Sequence, residues 1–399
     1  MTTTTVGEHA DPEPDLFSPE LVADPFAALD DLRRQSAAVH LSRYDFWVMT
    51  RYDDVRAAAA DWQSFTSAQG VALLPEFNGN LVGSVLASDP PEHDQLRAVL
   101  SEKLAPKGLS KIRSDIRAYA DQLVEQVVSR RRFDAVVDVA RVFPINVVAD
   151  LVGLPQAGRD KLHPGADATF AGFGPFTPYL QERLPAVRGY HEWMAQMTDR
   201  SKLTPGGWGE IVMDAVDDGR LTMLGAIKTI SAYMTAGMDT TVNAISALLR
   251  LFADSPEVWG ALKAEPSLAG PVFEEILRLE SPVQGFFRMT TKEVTVGDVV
   301  IPKDRRVLLH WGAANRDPAH YPDPARFDIR RNPLDHMAFG YGVHSCAGQG
   351  LARMEAVTLL EAFIDRVDRF ELTGPVVRGG NPVVRSLDSV PLSILPVRS

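Results

Sequence analysis

The 399-residue chain holds a single cysteine, Cys346, in the stretch HMAFGYGVHSCAGQG at 336–350, with glycines at 340, 342 and 348 and an amphipathic helical pattern directly after it. A lone thiol forms no intramolecular disulfide, so it serves either buried packing or chemistry. Its position favours chemistry. At a helix N-terminus, free backbone N–H groups and the macrodipole stabilise a thiolate, the form that ligates a metal or attacks a substrate. Flanking glycines let backbone approach a large flat partner and add little to packing. There is no second cysteine, nor a histidine at zinc-ligand spacing. A cysteine-nucleophile hydrolase needs a base histidine oriented by a third group, and His344, two residues upstream on a loop, is poorly placed for that.

Three further constellations carry chemical potential. Asp239-Thr240 interrupts the strongly apolar run 221–251, where an ionisable residue and a β-branched hydroxyl are poor choices without a purpose. Alone, the pair also reads as a local bend, Thr240 bonding back to an i−4 carbonyl and Asp239 facing water. His93 and Arg97, in DPPEHDQLR, stand i,i+4 and can present two donors to one carboxylate, or form an ordinary solvated face. Glu275 and Arg278, in EEILR, are i,i+3 on a helical pattern, usually a surface pair worth about a few tenths of a kcal/mol.

Phe339, Gly342, Cys346 and Gly348 together form F-x-x-G-x-x-x-C-x-G, which resembles the haem-ligand signature of the cytochrome P450 superfamily. Composition alone would place those flanking residues around the one cysteine about twice in ten thousand trials. Glu275 and Arg278 resemble the superfamily's E-x-x-R pair, Ala236 to Thr240 its oxygen-activating helix segment, and His93 with Arg97 its propionate-holding H-x-x-x-R. The resemblance runs from about Asp24 to the C-terminus. It implies a mainly α fold with small β-sheets, the cytochrome P450 fold, and a haem b (iron-protoporphyrin IX) cofactor. Cys346 would be the iron ligand, beside Phe339 and Gly340, and a thiolate ligand favours O–O cleavage. His93, Arg97, Arg288 and His344 would hold the propionates. Asp239 and Thr240 would be catalytic, delivering protons during dioxygen activation, and Gly237 would let a small ligand near the helix. Glu275 and Arg278 would be structural, pairing with Arg326 or its neighbours.

Within the superfamily the chain is similar to soluble bacterial enzymes that demethylate aromatic ethers such as 4-methoxybenzoate, through TFAGFGP at 169–175, SPVQGFFRMTT at 281–291 and GAANRDP at 312–318. That similarity implies an aromatic pocket walled by Phe170, Phe173 and Phe286, with Val283 and Thr241 near the reacting carbon and Ala236 on the helix beside it. Any one of these phenylalanines would otherwise read as ordinary core. Those enzymes clamp the carboxylate with arginine and serine side chains, yet 66–88 and 229–249 contain no Lys or Arg here. Ser84 and Thr235 remain at matching places, while Leu81 and Ser231 stand where cations are expected. The segments suit a neutral methoxyphenol or alkylphenol, because a buried carboxylate without a cation is costly. Arg183 and Arg188 near the pocket could still steer an acid. The implied partners are a small aromatic substrate, dioxygen, and a ferredoxin with its reductase, since no flavin or nicotinamide motif is evident. Alternatives are demethylation of a methoxylated benzoate, a haem peroxygenase using hydrogen peroxide, against which Asp239-Thr240 argues, and a haem-based sensor.

The elements that must position these residues are largely helical. Apolar residues recur at three-to-four spacing over 25–36, 53–62, 92–104, 109–130, 142–151, 185–199, 221–251, 256–264 and 268–280. Strands are expected at 46–52, in VTVGDVVIP and in RRVLLHW, before a Pro/Asp/Arg-rich loop from 315 to 335 and a last helix over 348–368. No repeat or linker divides the chain, so one domain over 21–399 is expected after a flexible tail at 1–20. A hydrophobic share of 45% supplies a sizeable core. The net charge of −11 argues against nucleic acid. Lys228, Asp239 and Arg250 break the most apolar run below what a bilayer span requires. A cytoplasmic monomer is expected.

Overall fold

A computed structural model describes residues 13–397. Its axis is the helix Met223–Asp254, whose 32 residues run about 48 Å at 1.5 Å per residue. Thr222 caps it by accepting from the Gly225 N–H at 3.0 Å, and Ser255 with the following Pro256 ends it. Buried residues face several directions because the helices Val142–Val152, Leu162–Ala171, Trp208–Asp217 and Ala269–Glu280 surround it. This helical core extends to Gln349–Ile364, the helix that follows the cysteine.

A second layer is a five-stranded sheet ordered Val39–Leu41, Phe46–Met49, Arg306–His310, Gly285–Thr290 and Phe65–Thr66. Trp47 pairs with Val307 in the sheet's parallel ladder, joining segments some 260 residues apart in sequence, and the sheet's remaining ladders are antiparallel. Gly285–Thr290 carries Phe286 and Arg288 to the site. The fold is mainly α with small sheets, as expected.

Several boundaries differ from expectation, each for a local reason. The helix expected at 185–199 starts at Pro178, where Thr177 accepts from Leu180 N and proline occupies the first turn; Pro185 lies inside it. The stretch 109–130 splits into Pro106–Leu109 and Arg113–Arg130. The last helix stops at Ile364, because Val367–Leu372 pairs with Pro391–Pro396. Leu162–Ala171 and Trp208–Asp217 are helices that the periodicity did not mark; Pro164 and Gly165 obscure the first. Of the tail expected over 1–20, residues 1–12 lie outside the described residues, and 13–20 make contacts with the body of the fold at some positions. Leu16 and Phe17 are buried, and Glu13 accepts from Ser42 Oγ at 2.8 Å.

Candidate active site

The cysteine loop turns back beneath a large cavity. Cys346 N–H donates to the Phe339 carbonyl at 2.8 Å, closing the loop on itself. Gly340 and Gly342 adopt φ of 66° and 73°, and a Cβ at Gly342 would lie 2.5 Å from the Ala59 carbonyl oxygen, so only glycine fits there. Burial pushes the Cys346 thiol up, opposed by the N–H groups of Gly348 and Gln349 and by the charges of Arg97 and Arg353. The helix terminus therefore supports a thiolate as expected, but burial outweighs it until a metal supplies positive charge.

Basic side chains gather along one wall. His93 is buried with Nδ1 3.0 Å from Asp94 Oδ1, and its Nε2 has no partner. The His344 ring meets it edge to face at 4.7 Å. Its Nε2 is also unpartnered, with Asp89 Oδ1 4.0 Å away. Burial, helped by Arg288 and His93, pushes His344 down to about 4, so the imidazole is neutral at pH 7. Arg288 is buried, donates to the Phe287 carbonyl at 2.8 Å, and is lowered to about 10 by burial. Arg97 faces the cavity, and burial lowers it too against the pull of Cys346.

On the central helix Thr240 faces the cavity with Ala236, Gly237 and Thr241, while its hydroxyl donates to the Ala236 carbonyl at 2.9 Å. The back-bond weighed from sequence and the cavity-facing role thus coexist. Asp239, a 100° step round the helix, does not line the cavity and does not face water. Its Oδ1 lies 3.5 Å from His163 Nε2 and its Oδ2 is unpartnered. Burial, with Asp167 and Asp388 adding and Arg141 opposing, raises it to about 8. His163, a residue the sequence did not single out, is thus the side chain that Asp239 meets in the packing between helices.

Glu275 and Arg278 are fully buried and bidentate at 2.7 and 2.8 Å. Arg278 also donates to the carbonyls of Asn315, Pro324 and Arg326 at 2.8, 2.7 and 3.3 Å. Arg326 is thus a correction: it contributes only its carbonyl, and the third side chain is Arg331, whose Nε lies 3.2 Å from Glu275 Oε1. The pair fastens the loop that leads into the cysteine.

The cavity, about 460 Å³, is lined by Cys346, Phe339, Gly340 and, on its aromatic side, by Phe170, Phe173 and Phe286. Phe173 meets Phe170 at 5.7 Å and Phe286 at 5.8 Å, both edge to face. Leu81, Ser84, Thr235 and Val283 line it as expected. Thr235 is engaged by the Tyr190 hydroxyl at 2.9 Å, and Ser84 Oγ accepts from Ala87 N at 3.3 Å. Arg183 and Arg188 are not in the lining: Arg183 is bound to Asp167 at 3.1 Å and stacked on Tyr179 at 3.5 Å, and Arg188 is exposed. The sequence reading missed Lys228, His191 and Glu355 in the lining; Lys228 stands one residue outside the charge-free window 229–249.

Comparison with known proteins settles the family. Residues 210–375 match the Cytochrome P450 family model. Cytochrome p450 CYP199A2 of Rhodopseudomonas palustris is 36% identical over 98% of this chain and 97% of its own length. The chain belongs to the cytochrome P450 family. Among solved P450 structures it is similar to CYP109Q5 from Chondromyces apiculatus, with a TM-score of 0.82, 28% identity, and 96% of this chain and 98% of that one covered. It is also similar to cytochrome P450 CREJ in complex with (4-ethylphenyl) dihydrogen phosphate, with a TM-score of 0.85, 27% identity, and coverage of 94% and 98%.

Proteins of this family bind haem b, and the residues present fit it. Two orphaned imidazole Nε2 atoms and two arginines are what a pair of propionates would satisfy. Cys346 opens onto the same cavity from below. Bound haem supplies dioxygen activation and oxygen transfer to a C–H bond. Cys346→Ser is expected to abolish the thiolate-type carbon monoxide spectrum, and a Ser variant that kept it would remove Cys346 as ligand. Arg278→Leu removes the bidentate partner of the buried Glu275 carboxylate, leaving it Arg331 and the Asp328 N–H, and frees the carbonyls of Asn315, Pro324 and Arg326, with an expected loss of about 3 kcal/mol in denaturant unfolding and of haem content; normal stability and full haem loading would contradict the clamp.

Proposed function

We propose that this P450 monooxygenase oxidises a small aromatic substrate, by O-demethylation or hydroxylation, with Cys346 as iron ligand and the propionates held by His93, Arg97, Arg288 and His344. The carrying observation is that Phe170, Phe173 and Phe286 enclose the cavity onto which Cys346 and Thr240 also open. For an aryl methyl ether, one oxygen atom enters a methyl C–H bond and the resulting hemiacetal breaks into a phenol and formaldehyde. The other oxygen atom leaves as water with two protons and two electrons, the electrons supplied by a ferredoxin and its reductase. Residues 21–399 act as one haem-thiolate domain, in the cytoplasm and as a monomer. Among the described residues no helix is long and apolar enough to cross a membrane.

Thr240 is the hydroxyl placed to hold a proton at the reacting centre. Its backbone acceptor fixes the side-chain rotamer, and its oxygen can still accept from a water. In Thr240→Ala, reductant consumption is expected to continue while product per electron falls severalfold and hydrogen peroxide rises. Unchanged coupling would take Thr240 out of the mechanism.

For a ligand no larger than one ring, a neutral group suits the aromatic cage, since 66–88 and 229–249 offer hydroxyls but no cation. 4-Methoxyphenol is expected to bind more tightly than 4-methoxybenzoate and to shift the haem further toward high spin, because the benzoate loses hydration without gaining a partner. Tighter binding of the benzoate in the same titration would return the substrate class to ring-sized aromatic acids.

A further inference from the structure

The cavity holds one charge that the residues described above leave without a counterpart. Its lining includes three lysine or arginine side chains, of which Arg97 and Arg288 belong to the wall of His93 and His344. The one acidic lining residue among those described is Glu355, fully buried with both carboxylate oxygens unpartnered, so it pairs with none of the three; burial pushes it well up. The third cation is Lys228 on the central helix, twelve residues before Thr240, or about 18 Å along the axis. Lys228 is half-buried, and among the described residues its ammonium forms no ion pair; it donates to the Asn80 carbonyl. That carbonyl belongs to the helix Pro75–Leu81, so Lys228 joins two walls of the cavity at the end remote from Cys346. His191 lines the same end and is lowered by burial and by the Lys228 charge, so it is a neutral donor there at pH 7. Ser231, one turn along the helix, adds a hydroxyl.

We propose that Lys228, with His191 and Ser231, forms a carboxylate subsite, and that the preferred substrate carries its acid group on a tail reaching from the aromatic cage to this remote end. A half-buried ammonium held only by a carbonyl keeps an uncompensated charge, and a carboxylate supplies both the counter-charge and a charge-assisted hydrogen bond. Length decides which acids profit. A benzoate whose ring sits in the phenylalanine cage is too short for an 18 Å helix span even with the lysine stem folded inward, whereas an arylalkanoate can bridge it. The inference rests on the aromatic reading above for the head group and adds the tail and its charge.

The test titrates the haem-loaded protein with 4-methoxyphenylalkanoic acids of increasing tail length and with their methyl esters, reading the spin-state shift on binding. Once the tail is long enough, the acid is expected to bind about tenfold more tightly than its ester in the native protein and in Lys228→Arg. That preference should vanish in Lys228→Met and in Lys228→Gln, with the carbon monoxide spectrum confirming an intact site in each. Equal binding of acid and ester at every length, or a preference that survives both neutral variants, overturns the subsite. Dodecanoate and its methyl ester form the separating arm. If no methoxyphenyl compound binds but dodecanoate outbinds its ester in a Lys228-dependent way, the aromatic reading fails and the subsite stands.

Discussion

The structure depends on one awkward requirement: the Cys346 sulfur must be buried beneath an apolar cavity and still be able to carry negative charge. Burial alone drives a thiol toward its neutral form. The loop answers with the Gly348 and Gln349 N–H groups directed at the sulfur, and with two left-handed glycines that let it fold tightly enough to aim them. Such a loop has no regular structure to hold it. The Glu275–Arg278 pair supplies the anchor, tying the helix Ala269–Glu280 to carbonyls at 315, 324 and 326, upstream of the cysteine. A second anchor follows: Arg353 on the cysteine helix binds Glu274 at 2.6 and 3.0 Å, and His336 meets the same carboxylate at 3.1 Å. Adjacent glutamates on one helix thus hold the loop from both sides.

The same economy governs charge around the cavity. Arginines are present where a dianionic cofactor edge would meet the protein, and the Nε2 atoms of His93 and His344 stand unpartnered among them, with the His344 imidazole neutral at pH 7. The aromatic region between that wall and the remote lysine is free of cations. This separation keeps the reacting region at low dielectric, where a hydroxyl such as Thr240 has the greatest electrostatic influence.

How much of this was legible depends on whether the information is local in sequence. The cysteine motif, the histidine–arginine spacing and the Asp-Thr pair are each confined to a few residues, and the structure brings all but Gly342, Asp239 and His93 into the cavity lining, with His93 edge to face against the lining residue His344. The helix Met223–Asp254 was visible because its apolar run is long and its cap is local. Long-range choices were not legible. Arg326, Arg330 and Arg331 lie in one aperiodic loop, and which of them turns inward is set by turn geometry, including Asn332 at φ 44°, rather than by any pattern of residue types. The span 229–249 is free of cations in sequence, yet Lys228 one residue earlier reaches a carbonyl 148 positions away, a contact that only tertiary packing creates.

Asp239 shows how adjacency in sequence misjudges a side chain's surroundings. Adjacency to Thr240 suggests that the two side chains act together, but consecutive helix positions point 100° apart, so one faces the cavity while the other enters the packing between helices. Buried against His163 with an unpartnered oxygen, and raised to about 8, Asp239 keeps its proton at neutral pH. His163 is lowered to about 4 by burial and by Arg141, so its imidazole is neutral at pH 7, and its side chain is one-fifth exposed. The geometry therefore places the two neighbours in different surroundings: Asp239 lies against the partly exposed His163, and Thr240 faces the apolar cavity.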